Sequence, residues 1–211
     1  MANDNKGPSS EAVAGIVGII VFGLLKGISS LLSSSGKTVL PPEVSGQLEN
    51  IKNTFTALMA ASEGQLDFKK DMVVIRELET KKDYEKIDSW LKSEIDQVGA
   101  NIILIETLGR HLDQLEMDAT KIEDSKRRGK VTSFASTLKK FPPAMEKVFI
   151  IKKEVLSTME SNFIRVKNAG NDNLTPEETT ILQDLIRQFD EAAKVAEQEL
   201  KRFNEAMANL K

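Results

Sequence analysis

Apolar residues recur every three or four positions along most of the chain, which is the spacing of one face of an α-helix. The first such stripe follows Pro42 and consists of Val44, Leu48, Ile51, Phe55 and Leu58. The longest stripe runs from Tyr84 to Ile122 without a gap and predicts one helix of about 40 residues, about 60 Å long. No segment alternates between apolar and polar residues with a period of two, so no strand is predicted.

The longest stripe also predicts where burial is deepest and where its helix ends. The segment Ile102–Ile105 is apolar on every side, so we expect the centre of this helix to be the most deeply buried part. The charged run Asp124–Lys130 should end the helix, with Gly129 as its C-cap.

Other residues predict further helix boundaries and, with them, the fold class. Breaks are expected at Gly64 and at Lys81–Asp83, and Pro142–Pro143 should interrupt a later helix. The segment Thr175–Glu178 predicts the start of the last helix, with Thr as N-cap, Pro at the first helical position and the final Glu closing a capping box. Together these patterns predict an all-α fold, an antiparallel bundle of about four long helices with an additional apolar N-terminal helix.

The N-terminal helix is the most apolar part of the chain. Its sequence, Ala12–Leu32, is AVAGIVGIIVFGLLKGISSLL, and Ala12–Leu25 contains only aliphatic, aromatic and glycine residues. This run of about 14 residues is shorter than the roughly 18–20 that span a bilayer. Continuing it through Lys26 to Leu32 gives about 21 residues with one charge near the end. The segment is therefore either a core helix buried on all sides or a helix inserted into lipid.

Two sets of residues in this segment carry the membrane interpretation. The side chains expected to enter the membrane are Val13, Ile16, Val17, Ile19, Ile20, Val21, Phe22, Leu24 and Leu25. The small residues expected to pack helix against helix are Ala14, Gly15, Gly18, Gly23 and Gly27. Small residues four apart let helix backbones approach closely in lipid, whereas each glycine costs a soluble helix roughly 0.5–1 kcal/mol relative to alanine.

These patterns divide the chain into three parts. Residues 1–8 are predicted to be a disordered tail, residues 9–34 the apolar Gly-rich N-terminal helix, and residues 35–211 a helical bundle domain. The tail lacks the positively charged start of a secretory signal, and no A-x-A cleavage site follows the apolar run.

Composition and charge argue against most kinds of active site. The 211 residues carry a formal net charge of −3 with both signs interspersed, so a nucleic-acid partner is not expected. There is no cysteine, and the single histidine, His111, is expected at the surface or boundary of the long helix. No acid, base, nucleophile or ligand set converges in the sequence, so we expect a non-enzyme without metal or cofactor.

One basic cluster, made by Lys126, Arg127, Arg128 and Lys130, has two interpretations. Such a run is commonly a solvated turn. The alternative is contact with anionic lipid headgroups, at about 1 kcal/mol for each basic residue near the surface.

The order of these features resembles the HeLo and HeLo-like family of fungal cell-death domains. The resemblance is carried by EAVAGIVGIIVFGLLKGISSLL, by PPEVSGQLENIKNTFTALM, by the Trp90-Leu91 start of a long helix, and more loosely by LKKFPPAMEKV. It implies a cytoplasmic helical bundle that becomes membrane-associated on activation, when the N-terminal helix inserts and the protein forms a homo-oligomer that disrupts membranes or makes pores. No receptor or amyloid-forming segment follows the bundle before Lys211, which leaves the trigger open.

The alternative prediction is a non-enzymatic interaction module, membrane-anchored or soluble. In that case the N-terminal helix is an anchor or a core element. The long helix that starts at Tyr84 would offer its apolar face to a helical protein partner, as in a coiled coil.

The glycine spacing predicts the effect of one double substitution. Replacing Gly23 and Gly27 by leucine (Gly23→Leu with Gly27→Leu) should weaken helix packing in lipid and lower dye release from liposomes, because the leucines hold the backbones apart. Unchanged release by this variant would count against a membrane role for the glycines.

Overall fold

The computed structural model describes residues 27–29, 31, 40–62, 68–81, 83–169 and 174–209. Within these ranges the protein has six α-helices and no strand, which confirms the all-α prediction for the part described. The helices are α1 (Pro42–Ser62), α2 (Phe68–Thr80), α3 (Tyr84–Ala119), α4 (Ser125–Leu138), α5 (Phe141–Ala169) and α6 (Pro176–Asn209). Residues 27–29 and 31 are also helical.

Helix α3 is the centre of the bundle, since α1, α2, α4 and α5 all pack against it. Tyr84 at its start lies against Phe163 near the end of α5, with ring centroids 5.5 Å apart. Near its other end, Glu116 accepts a hydrogen bond of 2.6 Å from Lys139, two residues before the start of α5. Helices α3 and α5 are therefore antiparallel.

The other long helices continue this arrangement. The start of α1 faces the end of α3, because Glu43 lies 3.6 Å from Lys121. Helix α6 packs along α5, and Arg165 near the end of α5 donates two hydrogen bonds of 2.6 and 2.7 Å to Glu178 in the first turn of α6. The four long helices α1, α3, α5 and α6 thus form the predicted antiparallel bundle, with α2 and α4 as shorter additions.

The core is built from the predicted apolar stripes. Helix α3 contributes seven large apolar side chains that are at most 1% exposed: Ile87, Leu91, Val98, Ile105, Leu108, Leu112 and Leu115. Aromatic pairs join more distant helices, with Phe55 5.8 Å from Phe141 and Phe134 5.8 Å from Phe203 between ring centroids. Each large apolar side chain buried in this way contributes roughly 1.5–3 kcal/mol.

The centre of α3 is buried on one face only, which corrects the expectation for Ile102–Ile105. Ile105 is fully buried, but Ile103 is 61% exposed. The buried face instead passes through Val98, Asn101 and Ile105, and a residue two positions from Asn101 lies about 200° around the helix. A short run of apolar residues therefore does not by itself place every member in the core.

The predicted end of α3 was also wrong. The helix stops at Ala119, where the N–H groups of Thr120, Lys121 and Ile122 each bond to the carbonyl three residues earlier. Asp124 then caps α4 by accepting a hydrogen bond of 2.7 Å from the Arg127 N–H. Gly129 consequently lies inside α4 as an exposed helical residue and is not a C-cap.

The remaining boundaries that fall on described residues are confirmed. Helix α2 ends and α3 begins around Lys81–Asp83, and Pro142–Pro143 lie in the first turn of α5. The capping box of α6 is formed in both directions. The Glu178 N–H donates to Thr175 Oγ1 at 3.2 Å, and the Thr175 N–H donates to Glu178 Oε2 at 2.7 Å. The predicted break at Gly64 lies outside the described residues, between the end of α1 and the start of α2.

Only a short part of the predicted N-terminal helix belongs to the described structure. Ile28 is fully buried and Leu31 is 8% exposed, and both are members of the core. The predicted tail and residues 9–26 lie outside the described ranges. Among the helices that are described, none has a stretch long and apolar enough to cross a membrane.

One pair of substitutions tests the one-sided burial of α3. Leu108→Ala should lower the free energy of unfolding by about 2–5 kcal/mol, because it leaves a cavity at a fully buried position. Ile103→Ala on the same helix should change it by less than about 0.5 kcal/mol. Urea denaturation of both variants measures the difference, and equal losses would contradict the described orientation of α3.

Candidate functional site

The predicted basic cluster lies at the start of α4, where Asp124 begins the helix. Lys126 and Arg128 are exposed, whereas Arg127 and Lys130 are partly buried. The first turn of α4 contains no acidic residue. Positive side chains at a helix N-terminus oppose the helix dipole by about 0.3–1 kcal/mol each, so the cluster is locally unfavourable for the helix that carries it.

Arg127 connects this cluster to the N-terminal segment. Its Nη2 donates a hydrogen bond of 3.1 Å to the backbone carbonyl of Leu31. Because Leu31 and Ile28 are buried in the core, the C-terminal end of the apolar segment is held beside the start of α4. The structure thus joins the end of the predicted insertion segment to one residue of the basic cluster, Arg127.

Most of the predicted insertion and packing residues lie outside the described ranges. Gly27 is the one packing residue that is described, and it is helical and half-buried. The packing residues outside the description are Ala14, Gly15, Gly18 and Gly23. The insertion residues outside it are Val13, Ile16, Val17, Ile19, Ile20, Val21, Phe22, Leu24 and Leu25.

A second polar site, which the sequence patterns did not predict, lies inside the bundle. The ammonium group of Lys152 on α5 is 0% exposed and lies 3.0 Å from Asp71 on α2. Glu94 on α3 lies 4.0 Å from the same nitrogen, and its side chain is 15% exposed. Three helices therefore meet at one buried cation and two carboxylates, which we name the charge cluster.

In its described contacts, the charge cluster sets two carboxylates against one ammonium group. Burial raises the pKa of Glu94, the positive charge of Lys152 opposes this effect, and the negative charge of Asp71 adds to it. Proton uptake at Glu94 leaves Lys152 and Asp71 as a matched pair. The cluster can therefore bind a proton at a higher pH than an isolated glutamate would.

A sequence signal for this cluster did exist. Lys152 lies on the apolar stripe of α5, because the buried residues Val148, Val155 and Leu156 are three or four positions away. A charged residue inside such a stripe indicates a buried ion that needs a partner. The partners Asp71 and Glu94 are on other helices, so only the tertiary structure identifies them.

His111 lies at the edge of the core, as expected. Its Nδ1 is 3.0 Å from Gln47 Oε1 on α1, a contact that joins the two helices. Burial lowers the pKa of His111, and the positive charge of Arg110 lowers it further. Within the described residues, no group of three or more histidine, cysteine, aspartate or glutamate side chains is placed to hold a metal ion.

Comparison with known proteins assigns no family. No family model, no curated protein and no solved structure matches the chain. The functional argument therefore depends on the residues and on the two sites described above.

The charge cluster predicts the stability of two variants. Asp71→Asn should lower the free energy of unfolding by about 1–3 kcal/mol, because the buried Lys152 ammonium loses its closest carboxylate and keeps only Glu94, at 4.0 Å. Asp71→Leu combined with Lys152→Met should recover most of this loss, since buried ion pairs can be replaced by apolar residues at little cost.

The matched control for Asp71→Asn is Asp184→Asn, which removes an exposed carboxylate from Arg187. Because exposed ion pairs contribute little, this variant should unfold with nearly wild-type stability. If Asp71→Asn were equally harmless in chemical denaturation, the buried ion pair would not be important for the fold.

Proposed function

We propose that this protein is a membrane-active helical bundle that disrupts or permeabilises membranes by inserting its apolar N-terminal segment. The observation that carries the proposal is the hydrogen bond from Arg127 to the Leu31 carbonyl. This bond joins the start of α4, which carries the exposed cations Lys126 and Arg128, to the end of the most apolar segment of the chain. Such proximity would let one protein bind anionic headgroups and insert an adjacent apolar helix.

The exposed cations support the first step, which is docking on an anionic surface. Lys126 and Arg128 face solvent, so they can approach headgroups without any rearrangement of α4. Each is expected to contribute about 1 kcal/mol near an anionic membrane. Anionic headgroups would also offset the unfavourable interaction of these cations with the N-terminus of α4.

The energetics of burial support the second step, which is insertion. Ile28 and Leu31 anchor the end of the segment in the core, and withdrawing them costs roughly 1.5–3 kcal/mol each. The segment Ala12–Leu25 contains more large apolar side chains than these two, and each gains roughly 1.5–3 kcal/mol where it passes from water into lipid. The glycines of the segment would then allow close helix packing in a homo-oligomer.

A charge-matched pair of variants tests this proposal on liposomes that contain phosphatidylserine. Lys126→Gln with Arg128→Gln should weaken liposome binding by about 2 kcal/mol, which is roughly thirtyfold, and reduce dye release accordingly. Lys147→Gln with Lys153→Gln removes two exposed charges from α5 and should leave specific binding almost unchanged. Both binding, by co-sedimentation, and dye release are measured.

Two results would overturn the proposal. One is an equal loss of liposome binding in the two double variants, which would show that binding depends on net charge and not on the position of the cations. The other is absence of dye release by the wild-type protein at every lipid ratio, which would favour the alternative of a helical interaction module.

A further inference from the structure

We propose that Glu94 is a proton-binding site that controls how firmly helix α2 is docked on the bundle. On this proposal, α2 is held tightly under mildly acidic conditions and loosens as the pH rises. The proposal concerns the charge cluster at the start of α3 and does not depend on membrane activity.

The side chains of α2 whose burial is described, residues 70–80, make few apolar contacts with the bundle. Among them Ile75 is buried, at 4% exposed, while Met72 and Leu78 are partly buried and Val73 is 54% exposed. Among the described helices α2 packs mainly on α3. The ion pair between Asp71 and Lys152 joins α2 to α5.

Because apolar attachment is limited, the electrostatics of the cluster have a large share in docking. When α2 is docked, Asp71 brings a second negative charge next to Glu94, and the side chain of Glu94 is largely removed from water. When α2 leaves, Asp71 departs with it and Glu94 returns to solvent. The docked state therefore disfavours the ionised form of Glu94 more than the undocked state does.

The sign of the pH dependence follows from this difference. The docked state has the raised pKa at Glu94, so it holds the proton more tightly than the undocked state. Docking is strongest below the ordinary glutamate pKa of about 4.3, weakens as the pH rises through the raised value, and is constant above it.

Among the described residues, the charged groups that act on Glu94 come from α2 and α5. From α2 the charge on Glu94 is Asp71, and from α5 it is Lys152. The last turn of α1, Leu58–Ser62, contains no titratable residue. Within α3, the neighbouring Lys92 is paired with Asp88 at 2.8 Å and is exposed.

Native-state hydrogen exchange measures docking directly. Protection factors of the α2 amides, corrected for intrinsic exchange, are compared with those of buried α3 amides at several pH values from 4.5 to 7.5. In the wild-type protein the α2 protection should fall across this window by about tenfold for each pKa unit of the shift. The buried α3 amides exchange through global unfolding, and higher protection there than in α2 shows that α2 opens before the rest of the bundle.

Glu94→Gln should make the α2 protection independent of pH, because a neutral amide of the same shape replaces the proton-bound carboxyl. Glu106→Gln is the matched control, since it removes an exposed carboxylate from the same helix and should preserve the wild-type pH dependence. A carboxyl titration of Glu94 by ¹³C NMR in the wild-type protein gives an independent measure of its pKa.

The wild-type exchange experiment alone can overturn the proposal, without any variant. Constant α2 protection from pH 4.5 to 7.5 would show that no group in the cluster couples a proton to docking. The same pH dependence in Glu94→Gln as in the wild-type protein would show that a different group is responsible, and would equally reject Glu94.

Discussion

The buried ammonium group of Lys152 constrains how three helices of this bundle meet. A cation that is 0% exposed must have a counter-ion within reach, and Asp71 supplies it at 3.0 Å. A shift of α2 by one residue would rotate Asp71 by about 100° and move it about 1.5 Å along the helix, which would break this pair. The ion pair therefore selects one register of α2 against α5, although apolar residues could supply similar stability.

The same constraint explains why a third helix takes part. Glu94 on α3 lies 4.0 Å from the Lys152 nitrogen and adds a second carboxylate where one would satisfy the charge. Burial raises the pKa of Glu94, the positive charge of Lys152 opposes this effect, and the negative charge of Asp71 adds to it, so the cluster is a candidate proton-binding site. Register selection and proton binding are thus two consequences of burying one lysine among three helices.

The two sites of the protein lie toward opposite ends of the bundle. Glu94 is within the first third of α3, whereas Arg127 follows the end of α3 and binds Leu31. Both Glu94 and Ala119 are on α3, and they lie about 37 Å apart along its axis. We therefore expect proton binding at the charge cluster and headgroup binding at α4 to be separable by mutation, since no residue belongs to both sites.

The sequence by itself determined the helices and the apolar face of each one. The stripe through Leu108 and Leu112, the Pro142–Pro143 break and the Thr175 capping box are local patterns whose physics involves residues a few positions apart. Local patterns also identified Lys126–Lys130 as basic. They overestimated the length of α3, because the turn after Ala119 depends on the cap that Asp124 provides for the next helix.

Only the tertiary structure decided which residues far apart in the chain meet. The contacts of Arg127 with Leu31, and of Lys152 with Asp71 and Glu94, join residues from 58 to 96 positions apart, and no helical period relates such residues. The exposure of Ile103 was decided in the same way, since its environment depends on which face of α3 the neighbouring helices cover. Hydrophobic spacing determines a helix and its apolar face, whereas a polar site depends on the packing of helices that the spacing does not specify.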